Sequence, residues 1–527
     1  MIALNKLRLF LNNHNIVENF IYTTYVFMMT VIVCICLLLE NIDYKTKIEH
    51  VSNFILLPIG IIAFILLYFF ISFLKIKLKN IKHKPMIIIF ISLICLVMQI
   101  CFVYCYWFKT GWDVGVVINA SQISAIDGPI DSSYFSTYSN NLFLVYIFSR
   151  IIKYKTLLGI NIDSYFFLII VQCILNWLTG LLLCHCTYKL TKSYKLTLFA
   201  YIIYFFLITL SPWVSIPYSD SMGLFFPIFI YWLYSINSKS KYVNVAKWLL
   251  IGLFAYFGYK IKPQIVIIVI AIILIEVLNN LIKIEKIKIY QAMKSIILFS
   301  IGIFISVTIV ASSTNKLNVD INNDLSFGLT HFLMMGMNVE GQGVYFQEDV
   351  DFSSHFNSSE ERTKNNLIVA KNRIKEMGLL GFVKQMVYKT LINYNDGSYA
   401  WGVEGHFYNE LRVDTNDSLS PLLKKIYYSI DNESLYHKIW INFVQSIWIC
   451  VLFFTICVSF KNRNKDVVVL LLSIIGLTIF ELIFEARARY LFIYSPVYII
   501  ISILGFSNFI HITKVKLKRN NLCTKVD

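Results

Sequence analysis

The chain has 527 residues, of which 57% are hydrophobic and only 15% charged. A soluble globular domain carries about 25% charged residues and about 45–50% apolar ones, and a mean hydropathy of +0.65 excludes that class. The formal net charge of +16 would suggest a nucleic-acid surface in a soluble protein, but here the positive residues are placed by membrane topology, and no nucleic acid is expected as a partner.

The apolar residues fall in blocks of about 20, the length that crosses a hydrocarbon core of about 30 Å. In chain order, twelve spans are predicted at 20–39, 54–74, 86–107, 164–186, 196–213, 220–236, 246–260, 263–281, 295–312, 441–460, 467–484 and 490–510. Residues 1–17 are polar and no cleavable signal peptide is apparent, because the first apolar block is long enough to remain as a helix. Spans seven and eight are separated only by Ile261 and Lys262, and Pro263 breaks the helix between them. Between spans three and four, the segment 108–163 contains an apolar stretch at 141–152 that is too short to cross. It is predicted to lie along the membrane interface. The long segment 313–440 shows helical periodicity from about 359 to 392, interrupted at Gly378 and Gly381. The expected fold class is an all-α polytopic membrane protein with about 12 transmembrane helices. An extracytoplasmic loop domain of mixed helix and coil is added to it. Four parts follow: an N-terminal two-helix addition at 1–85, a transmembrane core at 86–312, the loop domain at 313–440, and C-terminal helices with a basic tail at 441–527.

Lys and Arg assign the sides. With the N-terminus in the cytoplasm, the inner segments hold 25 Lys and Arg against four acids. The loop 313–440 holds 12 basic and 16 acidic residues. Both termini are therefore expected in the cytoplasm of a multi-pass cell-membrane protein. Ten of the 11 cysteines lie in or at the ends of apolar blocks, and Cys523 lies in the basic tail. The two large polar loops have none, which excludes a disulfide framework there. Cys184-His185-Cys186 has metal-ligand residue types, yet its neighbours are apolar and it has no partner pair, so it reads as helix packing.

Several polar residues are costly where they stand. Asp113 follows span three by about one turn, beside Trp112 at the headgroup level, where a carboxylate is partly desolvated and suits general-base chemistry; a helix end at the water line explains it equally well. Asp127 and Asp131 bracket Gly128-Pro129; they suit a turn, with cation or sugar binding as the second reading. The last outer connector holds Glu485, Arg487 and Arg489 between two apolar spans with almost no loop. Guanidinium groups at that depth need an anion, and their planar fork matches a phosphate, so the segment reads first as a phosphate clamp oriented by Glu485 and second as an outer-leaflet headgroup anchor, which the positive-inside pattern argues against. Lys260 and Lys262 could join it or snorkel to the interface. Asp220, at the outer start of span six, reads first as a helix cap and second as a polar group behind the site. In the large loop, His331, Asn338, Glu340, Asp396, Glu404 and His406 are interleaved with glycines and aromatics, which suits a carbohydrate surface or any wet loop.

The order of these features resembles the GT-C superfamily of polytopic glycosyltransferases, in particular bacterial members similar to the polyprenyl-phosphate mannosyltransferases. The resemblance rests on Gly111-Trp112-Asp113 after an early span, the interfacial segment 141–152 after Tyr138-Ser-Asn-Asn, Lys262-Pro263 opening a middle span, and Glu485 to Tyr490 at a late outer junction. It implies transfer of a sugar from a polyprenyl phosphate, with inversion, to an envelope glycan or lipid acceptor on the outer face. Asp113 would be the base, and Arg487, Arg489 and Lys262 would meet the leaving phosphate, among membrane lipids. Many members carry two adjacent acids or Asp-x-Asp where this chain has Asp113 alone, so a divalent cation is left open. Two early spans are also additional to the family pattern. The competing readings are a lipid-linked sugar flippase or other transporter, which would carry polar residues at mid-membrane, and a polysaccharide polymerase, which would place its key arginines in the large loop.

Overall fold

The computed structural model describes residues 14–77, 84–282, 286–404, 410–411, 419–428, 434–459 and 464–523. Three long helices open the chain: α1 (His14–Leu38), α2 (Asn53–Lys77) and α3 (Lys84–Tyr106). A two-residue strand, β1 (Phe108–Lys109), leads into the segment between the third and fourth predicted spans, built from α4 (Trp112–Ala125), α5 (Ser132–Thr137) and α6 (Leu142–Leu157). Then follow α7 (Ser164–Thr191), α8 (Tyr194–Tyr204) with a π-helical turn at Phe205–Thr209, α9 (Ser219–Gly223), α10 (Phe225–Ser235), α11 (Lys241–Ile261), α12 (Val266–Ile282) and α13 (Lys286–Thr314). The loop domain contributes α14 (Leu329–Gly336), α15 (Gln347–Ser354), α16 (Ser359–Tyr394), α17 (Trp401–Glu404), strand β2 (Glu410–Leu411) and α18 (Leu419–Tyr427). The chain closes with α19 (Leu435–Ile456), α20 (Lys465–Ile483), the single turn α21 (Arg489–Phe492) and α22 (Ser495–Cys523).

The protein is thus an all-α polytopic membrane protein. Its one sheet among the described residues is the antiparallel pair β1–β2, with Phe108 opposite Leu411. A helix stands at each of the twelve predicted span positions. Eight of the described helices are long and apolar enough to cross a bilayer; they correspond to α1, α2, α3, α7, α13, α19, α20 and α22. The stretches Tyr194–Thr209 and Pro263–Leu278 are apolar but shorter. The break at Pro263 is a residue of extended chain, Lys262, followed by a 3-10 turn at Pro263–Ile265. Proline removes a donor and fixes φ, so the helix restarts there rather than continuing.

Close packing follows from small residues where helices touch. At Gly252 on α11, an added Cβ would meet the Phe299 carbonyl oxygen of α13 at 2.1 Å, and at Gly302 it would meet that of Leu249 at the same distance. The two backbones therefore lie against each other, the usual device of membrane helices, which gain nothing from excluding water. The N-terminal pair is not a separate addition in space. α1 packs on α19 and α20. The amide of Asn53 donates to the Asn395 side chain at 2.6 Å and to the Cys36 carbonyl at 2.8 Å, while Gln445 donates to Asn53 at 2.9 Å.

The segment 108–163 is more helical than its sequence suggested. α4 was not foreseen: its apolar residues are spread around the helix with no clear stripe, and it owes its place to packing against α6. The helix predicted at 141–152 runs past its predicted end to Leu157 and buries Phe143, Leu144, Phe148 and Ile152 along one face. In the loop domain, α16 bends where expected, at Gly378, whose φ of 58° suits a residue without a Cβ.

Two sets of ion pairs mark the opposite ends of the bundle. At one end, Lys189 meets Asp466 at 2.9 Å and Lys465 meets Glu276 at 3.2 Å. At the other end, close to the loop domain, stand the residues singled out above. α20 begins in the first set and ends in the second, about 27 Å away at 1.5 Å per residue.

Candidate functional site

Asp113 lies in the first turn of α4, half-buried. The residue before it, Trp112, holds a φ of 31°, a backbone conformation that L side chains rarely adopt, and strain of this kind persists only where surroundings enforce it. The enforcing contacts are visible. The Trp112 ring packs edge-on against Tyr218 at 5.5 Å and lies 4.8 Å from the guanidinium of Arg489. Tyr218 donates to the Asp113 carboxylate at 3.4 Å, and Tyr134 lies near enough to feel the charge of the same carboxylate. Asn141 donates to Tyr134 at 2.8 Å and to Tyr218 at 3.4 Å. Burial, together with the nearby negative charge, holds both phenols above their ordinary range, so they remain donors.

On the far side of Tyr218 lies a buried ion cluster. Asp220 approaches Lys262 at 2.5 Å and Arg489 at 3.9 Å. All three are almost fully enclosed. Lys262 also sits 4.2 Å from the centre of the Tyr490 ring. Arg487 donates to Glu485 at 2.7 Å, Tyr490 donates to the other oxygen of Glu485 at 3.1 Å, and Tyr345 covers the Arg487 guanidinium at 5.8 Å. Burial drives the Glu485 carboxyl up, but Arg487, Arg489 and the Tyr490 hydroxyl outweigh it and leave it below the usual range. Tyr138, which follows α5, feels both Asp113 and the Glu485–Arg487 pair.

The loop domain closes the cluster from above. Lys389 of α16 is buried and donates to the carbonyls of Gly336 at 3.0 Å and Phe484 at 2.5 Å. Burial lowers it to about 7, against the opposing pull of Glu481 and Glu485. The Ala486 amide donates to Gly343 at 2.8 Å. At Gly336 an added Cβ would meet the Ile483 carbonyl oxygen at 2.6 Å, so the loop backbone rests directly on the connector. Glu481, near the end of α20, is fully buried and neither of its carboxylate oxygens has a hydrogen-bond partner among the described residues.

Asp113, Asp220, Lys262, Glu485, Arg487 and Arg489 therefore come together from four separate stretches of chain. Asp127 does not. It stands at the other end of α4, at a φ of 58°, and its exposed carboxylate meets Lys153 at 2.8 Å and Arg150 at 4.0 Å. With Asp131 accepting from Ser133 at 3.0 Å, the Gly-Pro stretch is a turn with a helix cap, so Asp127 is removed from the candidate binding set. Asp220 is not the cap expected of it: Tyr218 precedes α9, and the carboxylate turns to Lys262 instead. Lys260 stays half-exposed on Tyr256.

The polar residues of the large loop mostly serve its own fold. His331 contacts Ser353 at 2.7 Å, Asn338 donates to Asp349 at 3.0 Å, and Asp396 accepts from the Ser398 amide at 2.7 Å. Asp349 receives both terminal nitrogens of Arg373, at 2.9 and 2.6 Å. Glu340 is exposed, Glu404 closes α17, and His406 lies outside the described residues. Four groups of the site escaped sequence reasoning: Tyr134, Tyr218, Lys389 and Glu481. A tyrosine carries no signal of its own. Glu481, a lone acid two residues before a helix end in an apolar span, carried one, because such a charge is costly in a membrane.

No curated protein matches the chain, and no solved structure matches it. A family model described as "conserved hypothetical integral membrane protein" matches residues 10–510, nearly the whole length. The protein that holds this buried cluster beside a half-buried carboxylate is a member of that family of conserved integral membrane proteins.

Proposed function

We propose that the protein is a glycosyltransferase of GT-C type, using a polyprenyl-phosphate sugar and an acceptor hydroxyl at the outer face of the cell membrane, with both termini cytoplasmic. One observation carries the reading. A half-buried carboxylate, Asp113, is linked through Tyr218 and Trp112 to the buried cations Lys262 and Arg489. Inverting transfer needs this pair of functions: a base for the acceptor, and fixed positive groups for the leaving phosphate. In the proposed step Asp113 takes the acceptor's hydroxyl proton. The freed oxygen bonds to the anomeric carbon as the bond from that carbon to the phosphate oxygen breaks, and Arg487 and Arg489 receive the charge that develops on phosphate. Tyr218 holds the carboxylate in place. No group of three or more His, Cys, Asp or Glu suited to a metal occurs among the described residues.

The test is a membrane-vesicle assay with labelled sugar on polyprenyl phosphate. Wild type transfers the label to a product; Asp113→Asn and Arg489→Ala do not. Normal transfer by the Asn variant removes the base assignment. The transporter reading has its own observation, the buried Glu481 carboxylate. It is favoured if intact lipid-linked sugar crosses the vesicle membrane and Glu481→Gln stops the movement.

A further inference from the structure

A cleft of about 740 Å³ opens on the opposite flank of the C-terminal helices, between α2, the end of α8 and α19. Its walls are aliphatic and aromatic, including Ile55, Ile59, Leu67 and Phe206. The π-helical turn after α8 swings Phe206 onto Phe443, with ring centres 5.4 Å apart, and forms one side. Where α2 and α19 cross at Gly60, an added Cβ would meet Cys450 Sγ at 2.5 Å, so the two helices seal the floor there.

Polarity is confined to one ridge. Lys438, Asn442 and Ser446 follow at four-residue spacing on α19 and so share a face. Ser446 donates to the Leu56 carbonyl at 3.0 Å, and Asn442 accepts from the Val51 amide at 2.7 Å. Lys438, at the mouth nearest the loop domain, is exposed and its ammonium has no hydrogen-bond or ionic partner among the described residues. It is also the one charged side chain lining the cleft among the described residues. From Ile55 to Leu67, the wall extends about 18 Å at 1.5 Å per residue. One leaflet of hydrocarbon is about 15 Å deep.

We propose that this cleft binds one anionic phospholipid of the leaflet beneath the loop domain, with its phosphate at Lys438 and an acyl chain along the α2–α19 wall. Length and charge both fit that occupant: the apolar wall matches one leaflet, and the Lys438 ammonium at its polar mouth complements a single negative headgroup. A zwitterionic lipid fills the apolar part equally but brings no net charge to Lys438. The site uses none of the residues of the glycosyltransferase reading, and neither proposal depends on the other.

The full chain, purified in mild detergent and reconstituted with phosphatidylglycerol or phosphatidylcholine of identical chains, is compared by native mass spectrometry. A retained phosphatidylglycerol is expected, at about fivefold preference for a single lysine contact at the surface. Lys438→Gln removes the preference. Ile59→Trp fills the cleft and lowers retention of both lipids. Ile62→Trp, on a similarly exposed residue that does not line the cleft, changes neither. Equal retention of the two lipids by wild type, or undiminished phosphatidylglycerol on Lys438→Gln or Ile59→Trp, overturns the proposal. Should the tryptophan variant fail to fold, Lys438→Gln decides alone.

Discussion

The two ends of α4 carry the same residue type in opposite circumstances. Asp113 is half-buried, accepts from Tyr218 with Tyr134 close by, and follows a strained tryptophan. Asp127 is open to water and balanced by Lys153 and Arg150. Both looked like candidates on one polar loop. The difference is what surrounds them: at one end, side chains from three other elements converge, and at the other, solvent does. A carboxylate becomes chemically special through enclosure by groups that cannot relax away.

That contrast can be broken or sharpened by substitution. Asp113→Asn should lower sugar transfer by about 10²–10⁴-fold, the range for a positioned general base, measured as product formed per vesicle protein. Asp220→Ala should act on stability instead. It strands Lys262 and Arg489 without their carboxylate, and removal of one partner from a buried pair costs about 3–5 kcal/mol, read as a lower melting temperature in detergent. His331 offers a pH test inside the loop domain. Burial lowers it to about 4, so its neutral form is the folded form. The folded state then binds fewer protons than the unfolded one between about pH 6.5 and 4, and the contribution of His331 is present above that window and lost as pH falls through it. It amounts to about 3 kcal/mol at most, and His331→Gln should flatten the acid limb of a melting-temperature profile. At the small end, Asp127→Asn should leave transfer unchanged, and a loss comparable to that of Asp113→Asn would erase the distinction between the two ends.

The membrane helices were legible because the bilayer imposes a length, and every apolar block near that length has a helix in it. The ion cluster was legible in part because charge is expensive there: Arg487, Arg489 and Lys262 stood out against the positive-inside pattern, and they do meet. α4 was hidden, since a helix with no apolar stripe has no periodic signature. Asp220 was misjudged for a different reason. Its neighbours Pro217 to Ser221 resemble a cap locally, and only the fold brings Lys262 to it from the next helical hairpin. Of the loop residues that suited a sugar surface or a wet loop, His331, Asn338 and Asp396 make contacts within the loop domain itself.

The buried cluster also has a consequence for anything negative that enters it. Lys262, Lys389, Arg487 and Arg489 are matched in number by Asp113, Asp220, Glu481 and Glu485. An incoming dianion cannot simply dock on vacant positive charge; it must displace a resident carboxylate. Occupancy of the cluster is thereby an exchange of partners: a phosphate that settles there does so by taking an arginine or lysine from the carboxylate it now faces.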